Sequence, residues 1–261
     1  MNDHTLTFTI VIPVYNGEQF IAKAIESCLQ QTCLPNEIII IDDASNDKTG
    51  EIIRNINSAL IVYRKNDQNR GPSFCRNIGI KLASSSWILF LDADDLFHRQ
   101  KIEIINSCLI NNNNIKAIGH SFIVKKDTSF DEKDLKKVII AKPVTVLQIL
   151  LGNRMVTPSV GVAATNAIFF DEQIRYAEDH DFILRTAEEY GIWYLDIPLC
   201  SINRRSLTTG GQSGNKWKMR TGEMKMYSKY CRRNNQYLLL PFLILFSLCK
   251  HIRNEFVFGK E

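Results

Sequence analysis

Residues 87–95 read Trp-Ile-Leu-Phe-Leu-Asp-Ala-Asp-Asp, five apolar residues followed at once by three carboxylates in four positions. An apolar run of this length, bounded by polar residues, fits a strand buried on both faces. Asp92 and Asp94 stand two residues apart, so at strand spacing they point the same way. Two such carboxylates can share one hard divalent cation that also holds phosphate oxygens. A solvated acidic turn is the plainer alternative for an isolated Asp-x-Asp, but burying both charges without a cation would set like charges against each other.

Upstream, the same succession of apolar run and polar turn recurs. Residues 9–14 (TIVIPV) read as a buried strand closing on Pro13-Val14-Tyr15, residues 37–41 as a second closing on Asp42-Asp43, and residues 61–63 as a short third. Helical spacing fills the gaps: Phe20, Ile21, Ala24, Ile25, Cys28 and Leu29 share one face, and residues 48–56 and 73–83 fit further helices. Strands alternating with helices predict an α/β domain with a mostly parallel central sheet flanked by helices. Ligands of such sheets sit at the carboxyl ends of the strands, where Tyr15, Asp43, Asp92 and Asp94 converge. As a turn residue alone, Asp43 would only start the next helix; at this edge it can also accept a hydrogen bond from a base N–H.

Past residue 98 the pattern loosens. It predicts a helix carrying Ile102, Ile105 and Leu109, a strand over 115–118, a charged surface loop over 125–137, and strands within 159–170. A helix over 178–190 and a last strand over 193–197, ending before Pro198, complete the domain at about residue 215.

The seven cysteines are odd in number and show no Cys-x-x-Cys spacing, which predicts buried thiols in a reducing compartment rather than a disulfide or zinc framework. The polar start has neither the basic nor the apolar portion of a signal peptide, so a cytoplasmic protein is expected. Net charge is only +4, yet residues 199–261 hold twelve Lys/Arg and three Glu. Within them, residues 238–249 (LLLPFLILFSLC) form an apolar run of twelve, interrupted by Pro241 and well short of the ~20 residues that span a bilayer. Residues 216–261 therefore read as a helical basic and apolar extension. It either packs on the domain or a second subunit, or makes peripheral contact through 216–253 with an anionic membrane face. No nucleic-acid-binding motif accompanies the charge.

Thr9-Ile-Val-Ile-Pro-Val-Tyr-Asn16, Gln30-Gln-Thr32, Ile40-Ile-Asp-Asp-Ala-Ser45, Asn69-Arg-Gly71 with Arg76-Asn77, and Leu89-Phe-Leu-Asp-Ala-Asp-Asp95 follow one another in an order and spacing that resembles the family-2 glycosyltransferases of the GT-A fold. The resemblance is dense over residues 8–98, the nucleotide-binding half, and sparser over the acceptor-side half at 99–215. It implies that Pro13 and Tyr15 line a base pocket, that Asp43 reads a uracil-like edge, and that Arg76 lies beside the nucleotide. Asp92 would lie at the ribose, and Asp94 would ligate Mg²⁺ or Mn²⁺ bridging the diphosphate of a nucleotide-sugar donor, most simply a UDP-sugar. Downstream, Glu178-Asp179-His180-Asp181 looks like the family's Glu-Asp motif at a helix start, which makes Asp179 the general base of an inverting transfer. Acidic residues in a first helical turn also favour the macrodipole without any catalytic part. Taken alone, His180 reads as an ordinary core or surface histidine.

Relatives often carry Arg, His and Ser after the last strand; here residues 203–213 offer Arg204, Arg205 and hydroxyls but no His, which leaves the third metal ligand unassigned. The implied function is sugar transfer to a saccharide or lipid-linked saccharide in surface-polysaccharide synthesis. Two other classes compete. A sugar nucleotidyltransferase would need a Gly-rich basic loop after the first strand, and Tyr15-Asn16-Gly17-Glu18 is not one. A non-catalytic nucleotide-sugar-binding scaffold would not need Asp92, Asp94 and Asp179 together.

Overall fold

The computed structural model describes residues 6–124, 140–203 and 216–258. The expected loop at 125–137 and the Arg204-Arg205 stretch lie outside the described residues.

Strands β1 (Phe8–Val14), β2 (Glu37–Asp42), β3 (Ile61–Lys65) and β4 (Trp87–Phe90) pair in parallel in the spatial order β3-β2-β1-β4. The chain walks outward from β1 to β3 and then returns to the other side of β1. The carboxyl ends of β1 and β4 therefore flank the topological switch point, where an open α/β sheet leaves a crevice. Helices α1 (Ile21–Leu29), α2 (Thr49–Asn55) and α3 (Pro72–Leu82) make the crossovers.

Strand alternation sorts the core into two layers. Ile10, Ile12, Ile38 and Ile40 pack with α1 and α4 (Lys101–Ile110) on one face. On the other face Ile39 and Ile41 pack with Cys75 of α3, while Val11, Ile88 and Phe90 join α5 (Val146–Leu151) and α6 (Glu178–Tyr190). The C-terminal extension belongs to this second layer: Met226, Tyr227 and Cys231 of α7 (Lys216–Arg233) are fully buried, and Leu243 of α8 (Leu240–Phe258) packs with them. Pro241 does not break α8 but sits in its first turn, where its missing N–H costs nothing.

The sheet continues as β8 (Val160–Ala163) antiparallel to β4, β6 (Ala117–Val124) antiparallel to β8, and β9 (Ile192–Ile202) parallel to β6. The outer edge of β9 is shared by β5 (Leu96–Phe97) and β7 (Lys142–Val144), both antiparallel to it. Two sequence expectations need correction. The last strand does not end before Pro198; its pairing with β6 skips from Leu195 to Pro198, and this bulge accommodates the proline's missing donor. Residues 159–170 supply one strand only, because the chain leaves β8 through a 3₁₀ turn at Ala164–Asn166.

Candidate active site

A cleft of about 600 Å³ opens over the carboxyl ends of β1, β2 and β4. Pro13, Tyr15, Asp43, Arg76, Asp92 and Asp94, drawn from four separated segments, all line it. The loops after β1 and β2 are laced together: the Asn16 N–H donates to Ser45 Oγ (2.9 Å), the Asn46 N–H to Asn16 Oδ1 (3.0 Å), and the Gly17 N–H to Thr49 Oγ1 (2.8 Å). Asn16 and Ala44 have positive φ, next to Tyr15 and Asp43 respectively. This backbone costs non-glycine residues energy and is held by the surrounding bonds. Tyr15 is half exposed, so its ring is offered to the cleft.

The paired aspartates after β2 divide their work. Asp42 is sealed off, accepting from the Ser45 N–H (2.8 Å) and the Tyr63 hydroxyl (2.7 Å). Asp43 accepts from the Arg70 N–H (3.0 Å), the Gly71 N–H (2.7 Å) and Asn66 Nδ2 (2.9 Å). It thereby fixes the loop that starts α3, where Gly71 takes the left-handed φ of 90°. The Arg70 N–H is shared between both oxygens, so each Asp43 oxygen already has two donors, and the carboxylate holds the cleft wall in place.

Arg76 is buried on α3, and its Nη2 donates to Asp92 Oδ1 at 2.6 Å while Nη1 stands 3.7 Å from Glu178. Burial works against its charge, but Asp92 and Glu178 outweigh burial and hold the guanidinium ionised. Its Nε and Nη1 are buried without hydrogen-bond partners. Asn77 Oδ1 accepts from the Phe170 N–H (2.7 Å) and its Nδ2 donates to the Phe170 carbonyl (3.0 Å), tying the 165–175 segment to α3.

Helix α6 begins after Ala177, a buried residue at φ 61°. Glu178, not Asp179, lines the cleft. Its carboxyl is pushed up to about 7 by burial and by Asp179, with Arg76 pulling the other way. Asp179 lies just outside the lining, and its Oδ1 accepts from the His180 N–H (2.8 Å). His180 is a core residue with Nε2 2.7 Å from the Ile149 carbonyl. Phe20, Asn69 and Arg175 also line the cleft; the sequence put Phe20 on a helix face and Asn69 in a motif without giving either a site role, and nothing in it marked Arg175.

Among the described residues no three His, Cys, Asp or Glu converge as a self-sufficient metal cage. Asp92 and Asp94 nevertheless fit a hard divalent cation of the kind that takes one or two carboxylates and completes its shell with substrate phosphates. Asp92 commits one oxygen to Arg76 and keeps the other.

A crevice at a switch point, a Tyr ring and carboxylates on three strand ends together define a nucleotide-binding α/β domain of the GT-A type. The sequence model described as glycosyl transferase family 2 matches residues 9–208, and the chain belongs to that family. It is 33% identical over 148 residues to an uncharacterised glycosyltransferase of Haemophilus influenzae, covering 56% of this chain and 58% of that one. It is 29% identical over 164 residues to WfgD of Escherichia coli, a UDP-Glc:alpha-D-GlcNAc-diphosphoundecaprenol beta-1,3-glucosyltransferase, covering 60% and 64%. The chain thus spans less than two thirds of the length of either relative. Among solved structures, TarS of S. aureus in complex with UDP-GlcNAc superposes with a TM-score of 0.70 at 19% identity, over 97% of this chain and 73% of that one. The mannosyltransferase PcManGT of Pyrobaculum calidifontis, in complex with GDP-Man and Mn2+, gives 0.64 at 14% identity, over 99% and 77%. At these identities the structures share the fold. No described helix is long and apolar enough to cross a membrane.

Proposed function

We propose that the chain is an inverting glycosyltransferase that moves a sugar from a nucleotide diphosphate donor, a UDP-sugar, to a saccharide or lipid-linked saccharide in surface-polysaccharide synthesis. The observation that carries this reading is the convergence of Pro13, Tyr15, Asp43, Arg76, Asp92 and Asp94 on one cleft at the switch point. Tyr15 offers its ring to the base, Asp43 lies at the base edge, where a base N–H would share its carboxylate with the backbone donors, and Asp92 lies at the ribose side. Asp94, with Asp92, would hold Mn²⁺ or Mg²⁺, which when bound neutralises charge on the departing diphosphate. Arg76 screens the carboxylates beneath that diphosphate.

Transfer is a single displacement. The acceptor hydroxyl oxygen bonds to the anomeric carbon from the face opposite the diphosphate, and the bond from that carbon to the phosphate oxygen breaks. Its electron pair leaves with the nucleoside diphosphate, and Asp179 takes the hydroxyl proton. Glu178, held between Arg76 and Asp179, sets the charge of the cleft floor. The activity of WfgD, glucosyl transfer from UDP-Glc to a GlcNAc on diphosphoundecaprenol, supports a UDP-sugar donor and an acceptor on a lipid diphosphate. Peripheral contact of residues 216–253 with a membrane would bring such an acceptor within reach.

Calorimetric titration with UDP, GDP and dTDP, each with and without Mn²⁺, tests the donor site. Metal-dependent binding of UDP is expected, and silence from all three would refute it. Asp179→Asn should keep donor binding and lower kcat on the order of 10³-fold. If Glu178→Gln shows that pattern and Asp179→Asn does not, the two carboxylates exchange roles.

A further inference from the structure

On α8 and the turn before it, Leu238 is 88% exposed, Phe242 69% and Leu245 60%, with Tyr237 exposed beside them. At 3.6 residues per turn, Leu238, Pro241, Phe242, Leu245 and the exposed Cys249 fall in an arc roughly 100° wide. Leu243 and Ser247, on the opposite arc, are buried against the domain. The helix therefore has two apolar faces, of which the fold covers one. Scattered apolar residues on a surface are ordinary, but a continuous face of large ones marks an interaction site.

The charge of the α7–α8 hairpin points to the partner of this face. From residue 224 to residue 250 there is no Asp or Glu, and there are five Lys or Arg. Lys229, Arg233 and Lys250 are used internally, pairing with Asp171, Glu188 and Glu223. Lys225 and Arg232 are exposed and form no ion pair among the described residues. A face of Leu and Phe on a hairpin that also carries two uncompensated cations, with a Tyr at the elbow and a helix too short of apolar residues to cross, has the composition of an element that lies in the interface of a bilayer.

We propose that the outer face of α8 docks on an anionic lipid surface, Leu238, Phe242 and Leu245 entering the acyl boundary while Lys225 and Arg232 meet headgroup charge. The docked hairpin is rigidly joined to the acceptor side of the cleft. Helix α7 lies so close to the segment before Glu178 that a Cβ on Gly222 would stand 2.1 Å from the Tyr176 carbonyl oxygen. Docking therefore fixes the height of the cleft above the bilayer. The proposal deepens the lipid-linked-acceptor reading, but its test does not depend on turnover.

The full chain is mixed with vesicles of phosphatidylcholine alone and of phosphatidylcholine with phosphatidylglycerol, and the bound fraction is read by flotation. Binding to the anionic vesicles only, falling as salt is raised, is expected. Phe242→Ser with Leu245→Ser should lower partitioning on the order of 100-fold, and Lys225→Glu with Arg232→Glu at least about 25-fold at low salt. These side chains are exposed, so circular dichroism and UDP titration should match the parent. Failure to float with either vesicle overturns the proposal, as does sedimentation showing a dimer that the Phe242→Ser and Leu245→Ser pair dissolves, since a second copy then covers the face. A chain that floats but binds no nucleotide leaves the docking face standing and removes the glycosyltransferase reading; the converse result does the reverse.

Discussion

Gly222→Ala sets two physical effects against each other. Gly222 lies inside α7, where helix propensity alone gives alanine an advantage of about 1 kcal/mol. The added Cβ would stand 2.1 Å from the Tyr176 carbonyl oxygen, 2.7 Å from its carbonyl carbon and 2.8 Å from its Cβ. The first two obstacles are backbone, with no flexible side-chain end to swing aside. Relief requires α7 or the Tyr176-Ala177 segment to move by about 1 Å, at an overpacking cost near the upper end of the usual range, about 3 kcal/mol. Net destabilisation should then be about 2 kcal/mol, a fall in Tm of about 4–8 °C for a domain of this size. The displaced segment carries Glu178 and Asp179, so turnover should fall further than stability explains, on the order of 10²-fold for a misplacement near 1 Å. Thermal denaturation and initial rates on the full chain measure both, with Ser228→Ala on the exposed side of α7 as the control. A Gly222→Ala chain as stable as the parent or more so would show that α7 does not bear on the Tyr176 backbone and refute the buttress.

Arg76→Met removes the counter-ion of Asp92 and Glu178 and should cost about 3 kcal/mol in denaturant unfolding at pH 8, less at pH 5, below the value of about 7 to which the Glu178 carboxyl is pushed. An unchanged midpoint at both pH values would mean the pair contributes nothing. Lys101 is fully buried, with Nζ donating to the Pro158 carbonyl at 2.6 Å and lying 3.5 Å from the Phe97 ring centroid, and burial lowers its amine from 10.5 to about 7. Between those values the unfolded chain binds the extra proton, so stability should rise with pH from about 7 to about 10, on the order of a few kcal/mol relative to Lys101→Met. A difference between the two chains that stays flat over this window would show that the amine is not perturbed.

How far the sequence could be read depends on how much of each element's environment is local. Strands β1, β2 and β4 were legible because burial on both faces leaves a continuous apolar signature, as in Ile38 to Ile41, all fully buried. The two residues of β5 and three of β7 are too short to carry a period, and they exist as strands only because β9 offers an edge. Continuation of β9 through Pro198 likewise depends on what β6 will tolerate opposite it. The convergence of Pro13, Tyr15, Asp43, Arg76, Asp92 and Asp94 on one cleft was legible because each sits on or just after an element whose direction is fixed, so position along the chain fixes position in space.

Glu178 and Asp179 show where that logic stops. Adjacent residues on a helix point about 100° apart, so which one faces the cleft is decided by the rotation of α6. That rotation is set from behind, by Phe182, Ile183 and Leu184 in the core, by His180 held to the Ile149 carbonyl, and by α7 pressed on Tyr176. Glu223 of α7 accepts from Arg220, Ser247 and Lys250, binding α7 to α8, while Tyr227 bridges Glu223 to the Leu150 carbonyl. The left-handed Ala177 sits at the point where these restraints meet Glu178 and Asp179. Part of what aims the carboxylate pair, Gly222, Glu223 and Tyr227, thus lies 40 or more positions beyond it, on an extension whose sequence advertises only charge and apolarity. In this chain the helix that carries the outer apolar face, α8, is bonded to Glu223 of α7, and the adjacent Gly222 abuts Tyr176 in the segment that leads into Glu178 and Asp179.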